Sequence, residues 1–440
     1  MRAARRGLVA GIVSAFVSTG VAAQQKPVAG QPGQLQVSLA EAVRRALEVQ
    51  PAVVQARGNQ RIAGANERAA VGAFLPAITV GGSSNNGSAS RFNSATGSVQ
   101  PVSNPTSYTG SVALSLNLFD GFQRLANKRA AGATYDAADA GFVNQRYQVS
   151  ATTAQIFFTA LANEELVRVA QAQLDRAKEE LQISTNKFQA GAATRSDTLT
   201  SRVDLGNAQL ALLQAQANQA TAWANLGRQI GVDQPVRALP DTAFPPLPDT
   251  TTLRPEMMDS SPQVRQADAQ ALAARAQVSV AHAEYWPTLS LSYSNGYSGF
   301  EPPWSSTQTY ANNWALRFSL SWTLFNGFTR EADQVSASVQ RDVVGATAAD
   351  VRRQMNAQYT QQLATLFTAY AQIGIAGANV DAAAEALRVT QERYRLGAGT
   401  LLDLLTAQAN MTQAEVSQVS ARYNYLIARA QVEALVGHAL

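Results

Sequence analysis

Two aspartates follow glycine turns in stretches that read alike: "FQAGAATRSDTLT" (188–200), holding Gly191 and Asp197, and "YRLGAGTLLDLLT" (394–406), holding Gly397, Gly399 and Asp403. A carboxylate just past such a turn sits in the first turn of a helix, where the backbone dipole favours negative charge. Other chemistry is scarce. The "GAG" at 397–399 has no GK[ST] continuation and no preceding strand, so it is not a phosphate loop. The two histidines, His282 and His438, stand apart with no HExxH or Cys/His grouping, which disfavours a histidine metal site. There are no cysteines, which removes disulfides, thiol catalysis, iron–sulfur clusters and a lipid-anchored N-terminal cysteine together. Nothing resembles a catalytic constellation, and neither a cofactor nor an enzyme is expected.

The chain that must position these aspartates has 440 residues, 46% hydrophobic and only 15% charged. Globular domains average about a quarter charged. Arg2, Arg5 and Arg6, then the apolar run Leu8–Val17, then Val21-Ala22-Ala23 read as a secretory signal over residues 1–23. The apolar run is too short to span about 30 Å of hydrocarbon. Removing the three arginines lowers the formal net charge from +4 to +1. With no basic patch interleaved with aromatics, nucleic acid is not an expected partner.

The chain is written twice. "LNLFDGFQR" (116–124) returns as "WTLFNGFTR" (322–330), with Phe119, Gly121 and Phe122 answering Phe325, Gly327 and Phe328 at an offset of 206. The same offset carries Phe188 to Tyr394, Gly191 to Gly397, Asp197 to Asp403 and Gly231 to Gly437. Upstream, Pro51 and Leu75-Pro76 answer Pro262 and Trp286-Pro287 at 211. The five-residue difference falls between the second proline and the repeated phrase, as length variation in an exposed loop does. The expected organisation is a first repeat over 24–231, a proline-rich connector over 232–262 and a second repeat over 263–440.

Within each repeat an alanine- and glutamine-rich helix runs to its proline (52–75 and 263–286), and alternating segments follow. In the first repeat Tyr108, Val112, Leu114, Leu116 and Leu118 are expected on one face, against Ser111, Ala113, Ser115 and Asn117. In the second, Trp314, Leu316, Phe318, Leu320, Trp322 and Leu324 oppose Arg317, Ser319, Ser321 and Thr323. Apolar outside, small and polar inside, about ten residues per strand: this is the pattern of an outer-membrane barrel strand. Hairpins are expected at about 77–119 and 288–325, with loops 82–106 and 295–312 outside the cell. Four strands cannot close a barrel, and an open edge in lipid leaves backbone groups unpaired, so several copies must share one.

At the repeated phrase, the glycine relieves the backbone where strand turns to helix, and the phenylalanines pack at the lipid boundary. Asp120 or Asn326 is expected to cap the following helix. Helices over 123–190 and 329–396 would each reach about 100 Å. Val167, Leu174, Leu181 and Phe188, and Ile373, Val380, Leu387 and Tyr394, keep a seven-residue rhythm that implies coiled-coil packing. Returning helices are expected at 198–230 and 404–436. A returning helix stacked end to end on a proline-closed helix nearly matches one long helix, so each repeat makes a wall. Ser38 and Glu41 form the pattern of a capping box opening a short helix.

Over nearly the whole mature chain these features resemble the TolC family of outer-membrane efflux and secretion channels, most closely at 392–437. The resemblance implies a homotrimer with a 12-stranded barrel in outer-membrane lipid and an α-helical barrel crossing the periplasm. It also implies docking to a periplasmic adaptor protein and to an inner-membrane ABC or proton-driven transporter. The family's aperture aspartate falls on Asp403; three facing carboxylates would raise one another's pKa and attract cations. Its second aspartate position is Thr406 here. The closed-state lock of the family falls on Tyr394 and Asp197. A closing arginine position is Gly399, although its polar acceptor position, Ser196, is kept. The alternative from a different class is a secreted or periplasmic structural coiled-coil protein without a pore; the Trp314–Leu324 stripe argues against it.

Overall fold

A computed structural model describes residues 35–440 apart from 96, 104–105, 241–244, 249–259, 306–308 and 439. The signal-sequence reading over 1–23 lies outside the described residues. Seven α-helices and eight strands are described: α1 Leu39–Val49, α2 Pro51–Gly72, α3 Gln123–Gln189, α4 Arg195–Gln229, α5 Pro262–His282, α6 Thr329–Arg395 and α7 Leu401–Val436. The strands are β1 Gln36–Val37, β2 Ala77–Asn85, β3 Ser88–Asn93, β4 Ser98–Ser103, β5 Ser107–Asp120, β6 Arg237–Ala238, β7 Thr288–Gly299 and β8 Ala311–Ser321.

The long helices α3 and α6 have 67 residues each, about 100 Å at 1.5 Å per residue. Along α3 lie α2 on one half and α4 on the other; α5 and α7 flank α6 in the same way. The stacking joints are specific. The Gln50 side-chain amide donates to the Gln229 carbonyl at 2.6 Å where α4 meets α2. At the equivalent joint the Ser260 hydroxyl donates to the Val436 carbonyl at 2.8 Å. Gly231 and Gly437 end the two returning helices with φ of 75° and 85°. A Cβ on Gly231 would lie 2.8 Å from a Val49 methyl, and one on Gly437 would lie 2.9 Å from Pro262 Cδ. Glycine is required there both by the left-handed backbone and by the close approach.

Both main cores lie near mid-length of the long helices. One gathers Phe157, Phe158, Leu161, Leu226 and Ile230 around β1 and β6. The other gathers Met355, Tyr359, Leu366, Tyr425 and Val432. The connector is tied down where it is described: β6 pairs in parallel with β1, and Arg237 holds Glu164, which is buried, through both carboxylate oxygens. The capping pattern at α1 is half realised. Ser38 accepts from the Glu41 amide at 3.3 Å, whereas the Glu41 carboxylate pairs with Arg44 and Arg45.

Strands β2, β5, β7 and β8 form one antiparallel sheet in that order. Its apolar face carries Ile78, Val80, Val112, Leu114, Leu116, Leu291, Leu316, Phe318 and Leu320; serines, threonines and Arg317 fill the other. A bulge between Asn117 and Phe119 corrects the expected register: Phe119, not Leu118, stands opposite Leu289. One residue added to one strand flips the residues beyond it to the opposite face. The first outer loop differs from expectation too, because β3 and β4 form a second hairpin beyond the sheet.

The repeated phrase makes the same turn twice. Gly121 and Phe122 have φ of 66° and 68°; Gly327 and Phe328 have 70° and 68°. A left-handed bulky residue is a strained position. Each is held by an edge-to-face ring pair, Phe119–Phe122 and Phe325–Phe328, both with centroids 5.3 Å apart. Phe122 and Phe328 are therefore the N-cap residues, with no side-chain cap. Asp120 still serves the first turn, accepting from the Arg124 amide at 3.2 Å and pairing with its guanidinium at 2.7 Å. Asn326 does not cap: its side-chain oxygen is buried without a partner among the described residues.

Candidate functional site at the helix tips

The far ends of the helices bring the predicted site residues together. Each long helix ends in a paired turn. At the first tip, Gly191 donates to the Phe188 carbonyl at 3.0 Å and Ala192 to that of Lys187 at 2.7 Å. At the second, Gly397 donates to Tyr394 at 3.1 Å and Ala398 to Arg393 at 2.8 Å. Gly191 and Gly397 supply the left-handed backbone (φ 73° and 80°) that this C-terminal motif uses. A Cβ on Gly399 would lie 3.3 Å from the Arg393 Cβ, a tight contact that a few tenths of an ångström of movement would relieve.

Asp197 and Asp403 occupy the same position in two complete capping boxes. The Thr194 and Thr400 hydroxyls each accept from the aspartate amide at 3.2 Å. The carboxylates accept in return from the Thr194 and Thr400 amides at 2.9 and 3.1 Å, and Asp403 also from the Thr400 hydroxyl at 2.7 Å. This moves the helix starts to Arg195 and Leu401, three residues earlier than expected. The signal was in the sequence as T-x-x-D, "TRSD" and "TLLD". Asp403 is exposed. Within one protomer the Thr400 hydroxyl, then the Thr400 amide, holds its carboxyl below the ordinary carboxylate value. Thr406, one turn on, is exposed, and its hydroxyl donates to the Leu402 carbonyl at 2.8 Å.

Tyr394 is only 4% exposed. It packs with Leu401 and Leu404 against Ile183 of the first tip. Lys187 stands over its ring, 4.1 Å from the centroid, and donates to its carbonyl. Burial chiefly, with the charges of Asp197 and Glu180 adding, raises the Tyr394 phenol above its ordinary value. No hydrogen bond joins Tyr394 to Asp197 among the described residues; the Tyr394 hydroxyl is buried beside that of Ser184. Ser196 is exposed on the first turn of α4. Phe188, the counterpart of Tyr394, is exposed, so the seven-residue row ends buried in α6 and exposed in α3.

Sequence reasoning missed Lys187 and Glu180. Both lie on α3 at the contact with the second repeat, and no periodicity within α3 says which helix covers that face. Above them, Arg176 crosses from α3 to α7, pairing with Glu415 at 2.9 Å and bonding Thr412 at 3.1 Å. What this arrangement can do is mechanical: two helical hairpins, each with a capped acidic tip, meet through a few polar ties. Among the described residues no cluster of three metal-ligating side chains exists.

The family model described as "Outer membrane efflux protein" matches residues 42–232 and 253–438. Protein CyaE of Bordetella pertussis is 28% identical over 339 residues, covering 73% of this chain and 67% of CyaE. The alkaline protease secretion protein AprF of Pseudomonas aeruginosa is 25% identical, covering 75% of this chain and 70% of AprF. Among solved structures, the Campylobacter jejuni CmeC outer membrane channel superposes with a TM-score of 0.78 over 91% of this chain and 85% of CmeC, at 18% identity. The duplicated walls, the membrane-type sheet and the two capped tips are therefore those of a passive outer-membrane exit channel: the chain belongs to the outer membrane efflux protein family.

Proposed function

We propose that three copies of this chain close one barrel and one tunnel, and that a periplasmic adaptor and an energised inner-membrane transporter open the tunnel at its tips. The observation that carries this is an unfinished strand. In the first repeat β5 runs through residues 116–120 because β7 pairs with it there. The equivalent residues 322–326 follow the end of β8 without strand structure, and Trp322 and Leu324 are 59% and 72% exposed. A neighbour's β2 is the counterpart of the β7 they lack. The helices repeat this relation. α3 packs on α5 and α7 of the second repeat, whereas α6 has no comparable packing on α2 or α4 among the described residues. α4 exposes Leu199, Val203, Leu210 and Leu213, and α6 exposes Val335, Val339, Val343 and Ile375. Val335, Val339 and Val343 lie on the sheet-side half of α6, level with the exposed Val54, Ile62 and Val71 of a neighbour's α2, and Ile375 lies on the tip-side half, level with the exposed row of α4, so the faces can meet across a head-to-tail interface that closes into a ring.

In that ring Asp403 is the constriction residue, and Tyr394, Asp197 and Ser196 belong to the closing contact of the tips. A capped carboxylate held below its ordinary pKa stays ionised at neutral pH, so the aperture passes cations preferentially. Mutual repulsion among three such groups acts the other way. Relatives include an alkaline protease secretion protein and an antibiotic efflux pump outer membrane protein. A duct of this kind takes its cargo from the transporter it meets. The test is conductance of the purified protein in planar lipid bilayers. Asp403→Ala is expected to reduce cation selectivity at neutral pH and to change it least in acid. Unchanged selectivity removes Asp403 from the constriction, and absence of any conductance overturns the duct.

A further inference from the structure

Glu180 is the least exposed carboxylate among the described residues, at 2%. It lies on α3 between the two helical hairpins, about two and a half turns from the tip. The Ser201 hydroxyl of α4 donates to one of its oxygens at 3.0 Å. The other oxygen has no hydrogen-bond partner among the described residues. Asp204, also on α4, adds a second negative charge nearby, and Gln408 approaches from α7. From α6 comes Tyr394, and from the next turn of α3 comes Ser184; the hydroxyls of both are buried, each beside the other.

Among the described residues no cation pairs with this group. Arg176, one turn back on α3, makes its ion pair with Glu415 of α7. Lys187 is engaged with Tyr394, and no ion pair includes Glu180 among the described residues. A carboxylate withdrawn from water, served only by the neutral donors of Ser201 and Gln408 and faced by another acid, is better accommodated neutral than charged. Protonation also supplies a donor to a cluster of buried hydroxyls. The cluster occurs once per chain: the counterparts of Glu180, Ser184, Ser201 and Asp204 in the second repeat are Ala386, Thr390, Ala407 and Asn410.

We propose that Glu180 is a proton-operated tie between the two tips: protonated, it keeps the α3–α4 pair packed on α6–α7, and ionised, it drives them apart to reach water, so the periplasmic end opens as pH rises. The idea deepens the duct reading above and rests on it for the word "opens". Burial, opposed by hydrogen bonds from Ser201 and Gln408 and helped by Asp204's charge, lifts the Glu180 carboxyl from 4.5 to about 7. The sign follows from linkage. A raised pKa supports the packed arrangement fully below the carboxyl's ordinary value, and that support is lost as pH rises through the raised one. One proton per chain makes the parted-to-packed ratio climb by at most about tenfold per pH unit. Asp204, itself raised by burial, is the charge that most directly sets the midpoint.

The chain has no cysteines, so Gln189→Cys and Leu396→Cys place one spin label on each tip at exposed positions. The distance between them is read in purified full-length assemblies containing a single doubly labelled copy, alongside planar-bilayer recordings over the same pH range. The labels are expected to separate across neutral pH. With Glu180→Gln, a neutral isostere, they stay close throughout. With Asp204→Asn the transition remains and moves to lower pH. A transition unchanged by Glu180→Gln overturns the tie. Should that variant fail to assemble, an unmoved midpoint in Asp204→Asn overturns it as well. Conductance with tips indifferent to pH rejects Glu180 and leaves the duct standing; tips that move with pH in a protein that never conducts reject the duct and keep the tie.

Discussion

Lys187 of the first repeat lies 4.1 Å above the ring of Tyr394 in the second, with its ammonium also donating to the Tyr394 carbonyl. One residue thus ties the last turn of α3 to the last turn of α6, which the chain separates by about two hundred positions.

Removing that tie should loosen the tips without unfolding them. A cation over an aromatic ring contributes about 0.5–2 kcal/mol, depending on desolvation. Lys187→Met keeps most of the aliphatic stem and loses the charge. The expected result is a rise of roughly tenfold in the open-to-closed ratio in single-channel recordings, since about 1.4 kcal/mol is one factor of ten. A ratio equal to that of the parent protein would show that the contact is decorative.

The capping boxes predict a pH effect at the tips. Asp403 has a lowered pKa, so its contribution to the start of α7 is present above the ordinary value of 3.8 and is lost as pH falls through the lowered one. Thr400→Ala removes the hydroxyl that does most to hold the carboxyl down and costs the helix start about 1 kcal/mol. Amide exchange at Leu401–Leu405 should quicken about fivefold at neutral pH, and by less in strong acid. Equal acceleration at both pH values would mean that the carboxylate plays no part.

The two joint glycines should fail differently when changed to alanine. A Cβ on Gly121 would lie 2.5 Å from Trp286 Cβ and 2.6 Å from the Ala283 carbonyl of the same chain. One on Gly327 meets nothing within 4 Å in a single protomer. Both variants bear the left-handed backbone penalty of about 1–2 kcal/mol. Gly121→Ala should therefore impair folding of the protomer, whereas Gly327→Ala should yield folded protomers with reduced trimer formation. Fluorescence of the folded chain and the yield of detergent-resistant trimers separate the two; identical behaviour would argue against a neighbour at Gly327.

The repeat offsets also fix a register between protomers. Inside the chain Leu114 stands opposite Tyr293; their counterparts at 206 and 211 are Leu320 and, on the neighbour, Gly82. Leu320→Cys combined with Gly82→Cys should form disulfides between chains and give covalent trimers on non-reducing gels. Shifting one cysteine by a single residue points it to the other face and should abolish the cross-link. Cross-linking insensitive to that shift would rule out the register.

Much of this molecule is local, and what is local was legible in the sequence. The proline-free runs and seven-residue rhythm specify α3 and α6 almost to the residue, because a helix satisfies its own backbone from its own sequence. The alternation of Leu114, Leu116, Phe318 and Leu320 with serines specifies a sheet with one lipid face. The Gly-Phe turn was visible as a repeated phrase, although the left-handed Phe122 was not, since propensity argues against it. The bulge at Asn117–Phe119 is set by pairing with β7, so no reading of β5 alone could place it. The same holds at the tips. T-x-x-D announces the boxes at Asp197 and Asp403, but that Lys187 meets Tyr394 and that Glu180 lies shut between Asp204 and Gln408 depends on which helices pack together. Periodicity says which face of a helix is covered; only the tertiary structure decides by what, because the partner comes from the other copy of the repeat.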